Sequence, residues 1–136
     1  MFFFVFQAFA GGILEKDIPD PESHYELPEN LIGVFVHYQY HIQGDTTGDK
    51  YQIVIYENNK YVLSVSGGDF GARWYGYITH ENQEYYFNPV NEIDGSYITE
   101  KTKINIHEKG ISFIISFSIS DRKGEEIFFK KNINNG

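Results

Sequence analysis

The sequence predicts an all-β fold, an antiparallel up-and-down meander curled into a barrel of about eight or nine strands. Three observations carry that expectation. Short segments with alternating apolar and polar residues run from Leu31 to Lys130. Gly, Asn and Asp turns separate them at the spacing of sequential hairpins. No amphipathic helical period of useful length breaks the series.

The first strand is read from Ile32, Val34, Val36, Tyr38, Tyr40 and Ile42, alternating with Gly33, Phe35, His37, Gln39 and His41. That alternation assigns the first set to the barrel interior. A loop holding Asp45 and Asp49 follows. Tyr51, Ile53 and Ile55 then lead through Asn58-Asn59 to Tyr61, Leu63 and Val65, the clearest hairpin of the chain. Gly67-Gly68-Asp69-Phe70-Gly71 bends into a strand from Ala72 to Ile78, and Glu81-Asn82-Gln83 turns it into Tyr85-Tyr86-Phe87, stopped by Pro89. After a looser stretch from Val90 to Glu100, Lys103 to His107 pass through Glu108-Lys109-Gly110 into the best amphipathic strand. There Ile111, Phe113, Ile115, Phe117 and Ile119 alternate with serines, and Ile114 is the exception. A turn from Asp121 to Gly124 reaches Glu125-Glu126-Ile127-Phe128-Phe129. Meander order places each strand beside its sequence neighbour, and closure removes the exposed edges.

Before the barrel stand two further segments. Met1 to Ala10 is apolar except for Gln7 and ends in Ala8-Phe9-Ala10, resembling a secretory h-region and cleavage site without the preceding basic residues. The other reading is a Phe-rich strand or plug on the barrel; export, to periplasm or medium, is the expectation adopted. Gly11 to Asn30 carries Pro19, Pro21 and Pro28 among acidic residues, which forbids a regular helix or central strand and predicts a linker or strap. Ile13-Leu14, Tyr25 and Leu27 are its candidate docking residues. The expected division is therefore 1–10 signal remnant, 11–30 lead-in, 31–131 barrel and 132–136 tail.

A chain of 136 residues has room for one core. Aromatic residues make up 18% of it, supplied nearly all by Tyr and Phe, and such rings fill a small barrel efficiently. Eleven Lys and Arg against nineteen Asp and Glu give a net charge of −8, which disfavours nucleic acid and anionic membranes as partners. Cysteine is absent, so the sequence holds no disulfide, thiolate nucleophile or lipid-bearing Cys.

Candidate chemistry is sparse. His37 and His41 lie about 13 Å apart on one strand face, too far to share a metal, and His24, His80 and His107 adjoin turns or linkers. All five are expected to be independent surface residues, with no metal and no cofactor. The serines of the 112–120 strand face away from its apolar side, and no nucleophile elbow is present. Glu57 and Asp69 are the carboxylates that a glycosidase reading would choose, without a pattern to single them out. The 67–71 loop lacks the helix and Lys of a phosphate cradle, and the Asp45/Asp49 spacing matches no EF-hand. The expectation is a protein that is not an enzyme.

What remains is aromatic. Tyr38, Tyr40, Tyr51, Tyr61, Trp74 and Tyr85 fall on faces assigned inward, where they either fill the barrel or line a cup for an apolar or amphipathic ligand. Arg73, Tyr75, Tyr77 and Tyr86 fall outward as a patch of the kind enriched in protein-binding hot spots.

Leu31-Ile32-Gly33-Val34-Phe35 after a lead-in, a meander, and a Ser-rich hairpin closing on Ile127-Phe128-Phe129-Lys130 together resemble small bacterial lipocalin-like domains. Lipocalins open with Gly-x-Trp, and a basic residue near the last strand packs over that Trp. Phe35 stands in the Trp place here, with Lys130 or Lys131 in that of the basic residue. The resemblance implies an up-and-down barrel biased towards ligand binding; it transfers no pocket residues, and it disagrees with the alternation on which way Phe35 faces. The reading is a non-catalytic, exported binder of a small apolar or amphipathic molecule. Its alternative is an acidic inhibitor or immunity protein that blocks a secreted enzyme or toxin.

Overall fold

A computed structural model of the protein describes residues 15–40, 48–67, 70–90, 98–117 and 122–131, and in it the alternating segments form eight strands. They are β1 (Gly33–Tyr40), β2 (Gly48–Ile55), β3 (Lys60–Gly67), β4 (Phe70–Glu81), β5 (Glu84–Pro89), β6 (Thr102–His107), β7 (Gly110–Phe117) and β8 (Arg122–Lys130). Each pairs antiparallel with its sequence neighbour, and β8 returns to β1, so the sheet is a closed meander barrel. No helix among the described residues is long and apolar enough to cross a membrane.

Cross-strand partners share a face, so buried pairs report the inward parity of each strand. In the β2–β3 hairpin Tyr51, Ile53 and Ile55 oppose Val65, Leu63 and Tyr61, and all six are buried. Its turn closes through Asn59, whose φ of 71° is one that Asn tolerates. The β4–β5 turn holds Asn82 and Gln83 at φ 50° and 69°, the left-handed pair that matches strand twist. Trp74 and Ile78 on β4, Phe87 on β5, Ile104 on β6, Ile111, Phe113 and Ile115 on β7, and Phe128 on β8 complete the inward set.

On β1 the structure reverses the expected face. Phe35 is fully buried opposite the buried Ile53, and His37 opposes the buried Tyr51. Val34, Val36 and Tyr38 therefore point outward, and Tyr38 is 51% exposed. Both residue sets of this strand are apolar enough to read as inward, so alternation alone could not choose; the fixed parity of β2 does, because a one-residue slip moves every side chain to the other face. A second correction concerns Gly124, which lies within β8 rather than in a turn. Residues 1–14, 41–47, 68–69, 91–97, 118–121 and 132–136, with the expectations that fall on them, lie outside the described residues.

The lead-in is a strap along the outside and end of the barrel. Ile18, after a single 3-10 turn at Glu15–Asp17, is buried, and so are the outward Lys60 and Val62 of β3. Lys60 Nζ meets Asp20 at 2.9 Å, and the Tyr77 hydroxyl donates to the Pro19 carbonyl at 2.7 Å. Asn59 secures the next turn of the strap: its side-chain amide donates to the Tyr25 carbonyl and accepts from the Tyr25 N–H, both at 2.8 Å. Leu27 and Leu31 then enter the core cluster.

Candidate functional site

The barrel closes unevenly. The β1–β2 and β7–β8 ladders each hold eight residue pairs, whereas β1 and β8 share two, Phe35↔Lys130 and Val36↔Phe129. Beyond them the strands part and leave a groove of about 620 Å³ in the wall. Its apolar lining is Val36 and Tyr38 from β1 with Ile127 and Phe129 from β8, and its polar lining is His37, Glu125 and Glu126. Ile127 and Phe129 are 46% and 54% exposed, and Ile114, also exposed, is a diagonal neighbour of Ile127 on β7. Together they form an exposed apolar surface of the sort that marks a binding site more often than chance.

His37 occupies the parting. Its Nδ1–H donates to the Ile127 carbonyl at 3.1 Å, and Nε2 lies 3.7 Å from Glu126 Oε1. Its ring stacks on Phe128 at 5.3 Å and tilts against Tyr51 at 5.9 Å. The imidazole thus faces the interior, contrary to its expected place on the surface. Further along β8, a methyl group built on Gly124, which opposes the inward Ile115, would meet no atom within 4 Å.

The rings inside the barrel pack on one another. From Phe128 the contacts run to Phe113 and Phe87 at 4.9 Å each, then to Tyr61 at 4.7 Å. Of the expected cup residues, Tyr51, Tyr61 and Trp74 belong to this interior, and burial pushes the Tyr61 phenol well above its ordinary range. Tyr85 is half-buried and stacks on His80 at 4.2 Å. Tyr38 points outward and lines the groove, and the side chain of Tyr40 lies outside the description. The five whose side chains are described are thus divided between the packed interior and the outer groove.

Of the expected outward patch, Arg73, Tyr75 and Tyr77 follow one another on the outer face of β4, with Tyr75 and Tyr77 edge to face at 6.5 Å. Tyr86 opposes Thr79 one strand over, beneath Lys101 Nζ at 4.6 Å. Within this group the strap ties down Tyr77 through the Pro19 carbonyl.

A polar cluster that sequence reasoning missed sits on the outer wall beside the groove. His107 Nε2 lies 2.7 Å from Ser112 Oγ, and Ser112 donates to Glu125 Oε2 at 2.5 Å. Asn105 donates to the same oxygen at 2.9 Å. Serine has one proton to give and Glu125 takes it, so Nε2 must carry the proton in the His107–Ser112 bond. A nucleophile–base pair needs the reverse, with the imidazole lone pair facing the hydroxyl. Ser112 is also buried. The hydrogen bond from Ser112, with that from Asn105, holds the Glu125 carboxyl below its ordinary range. No group of three His, Asp or Glu among the described residues is placed to hold a metal ion. The signal for this region was present in Ile114, which broke the alternation of β7, and in Ile127-Phe128-Phe129, apolar on both faces of β8.

At the other end of the seam Lys130 Nζ lies 5.9 Å from the centroid of the Phe35 ring and donates to the Glu29 carbonyl at 3.2 Å. No protein-family model matches the chain, and no curated protein matches it in sequence. Among solved structures, the crystal structure of a lipoprotein YedD from Klebsiella pneumoniae subsp. pneumoniae is similar, with a TM-score of 0.52 and 8% identity over 83% of this chain and 82% of that one. At that identity the likeness concerns the fold, and it agrees with a barrel domain.

Proposed function

We propose that this protein is a non-catalytic, lipocalin-like binding protein and that it takes a small apolar or amphipathic ligand in the groove between β1 and β8. The observation that carries the reading is the parted seam: four apolar side chains line an opening whose volume lies within the ~300–1,000 Å³ of small-molecule sites. The packed interior argues against a deep cup, which moves the site from the barrel axis to its wall. Lys130 over the buried Phe35 supports the lipocalin-like reading, since that is the contact the resemblance implies. The polar cluster at Ser112 is ordered against nucleophilic chemistry, which supports a role without catalysis. The name of the similar lipoprotein supports a place in the cell envelope.

The test is titration with the neutral fluorophore N-phenyl-1-naphthylamine. Saturable, blue-shifted emission that Ile127→Ser and Phe129→Ser each weaken is the expected result. Absence of saturable binding, or binding that neither variant alters, would overturn the reading.

A second reading keeps the inhibitor role, favoured by the consecutive outward Arg73, Tyr75 and Tyr77. Native mass spectrometry of the protein taken gently from its own host separates the two. A stoichiometric protein partner lost on Tyr75→Ala supports the inhibitor, and a small-molecule adduct supports the binder.

A further inference from the structure

We infer that the groove selects amphiphiles with a cationic, amine-type head over neutral and anionic ones. The inference rests on the reading of the groove as a ligand site and adds the chemistry of its ligand.

Adjacent residues of a strand point to opposite faces, so Glu125 belongs to the outer wall and Glu126 to the interior. Both nevertheless line the groove, because the parted seam opens the wall beside β8. One apolar trough is therefore bordered by carboxylates from both sides of a single strand. Glu125 is held in place by Ser112 and Asn105, and Glu126 stands beside His37 and is one-quarter exposed. None of the lining residues is Lys or Arg. Lys50, the β2 partner of Tyr38, shares the outer face beside the trough without lining it; Lys103 and His107 act on Glu125 from β6; and Lys130 is drawn down to Glu29 and Phe35.

An occupant with an apolar chain on Val36, Tyr38, Ile127 and Phe129 would bring its head to these carboxylates. An ammonium there gains charge-assisted hydrogen bonds; a carboxylate or sulfate meets like charge in a protein of net charge −8. The same repulsion disfavours a second copy of this chain or an anionic membrane as the partner that covers the apolar surface. Hydrogen bonds to a charged group are strong enough to favour the amine by on the order of tenfold over a neutral head.

The experiment displaces N-phenyl-1-naphthylamine from the full chain with three single-chain probes below their micelle concentrations at neutral pH: dodecylamine, dodecyl maltoside and laurate. Dodecylamine is expected to bind about tenfold tighter than the maltoside, with laurate weakest, and added salt should narrow the gap. Glu126→Gln should bring dodecylamine down to the level of the maltoside while leaving the maltoside unchanged. Laurate binding as well as dodecylamine, or a preference that survives Glu126→Gln and salt, would overturn the inference. If all three bind alike, the head selection fails and the groove reading stands; if none binds, both fail.

Discussion

His37 and Ile127 are joined by an imidazole-to-carbonyl hydrogen bond of 3.1 Å just beyond the last residue pair of the β1–β8 ladder. A side chain thus takes up a strand carbonyl where the backbone ladder has ended. The bond spans 90 residues of sequence and lets the barrel wall part without leaving that carbonyl bare.

Replacing His37 by Phe keeps a ring against Phe128 and removes the polar link. The expected cost is about 0.5–1.5 kcal/mol in urea unfolding. Amide exchange should accelerate in β1 and β8 more than in β2 and β3. Uniform acceleration across the barrel would show that His37 serves the core rather than the seam.

Two glycines on inward positions should respond oppositely to a methyl group. At Gly76 it would lie 2.3 Å from the Asn88 carbonyl and 2.7 Å from the Tyr61 hydroxyl, so Gly76→Ala is expected to destabilise by about 1–3 kcal/mol. At Gly124 it meets nothing within 4 Å, and Gly124→Ala should fall within about 0.5 kcal/mol of the parent. Thermal melts of the pair check both.

Asn59 combines a left-handed backbone with two hydrogen bonds to the strap. Asn59→Gly keeps the φ of 71° accessible and loses the bonds at Tyr25, for an expected cost of about 1–3 kcal/mol. Asn59→Ala adds the backbone penalty and should be worse by about 1 kcal/mol. Both should raise proteolysis within the strap, where cleavage sites read by mass spectrometry give the outcome.

The Glu125 carboxyl sits below its ordinary value of 4.5, chiefly because Ser112 donates to it. A depressed carboxyl binds fewer protons folded than unfolded, so its contribution is present above that ordinary value and is lost as pH falls through the folded one. Ser112→Ala removes the main cause. Its urea midpoint should lie below the parent's at neutral pH and converge on it in acid; a gap independent of pH would assign the loss to packing alone.

The fold was legible in the sequence because its evidence is local. The period of two, the Asn58-Asn59 and Asn82-Gln83 turns and the prolines of the lead-in each act within a few residues, and they were enough for an antiparallel meander barrel. The site was far less legible. Tyr51, Tyr61 and Trp74 do face inward, but whether inward rings fill a barrel or line a cup depends on how they meet across it, which no single segment records.

By itself the sequence determined which segments pair in order, that the chain is acidic, and that Tyr51, Tyr61 and Trp74 point inward. Only the tertiary structure decided the face of β1, because both of its residue sets are apolar and the choice lay with the buried partners Ile53 and Tyr51 on β2. It alone decided the parted seam, since closure joins strands from opposite ends of the chain and register there depends on every ladder between them. And it alone brought His37 to Ile127 and His107 and Ser112 to Glu125, contacts made by side chains across strands rather than by spacing along one.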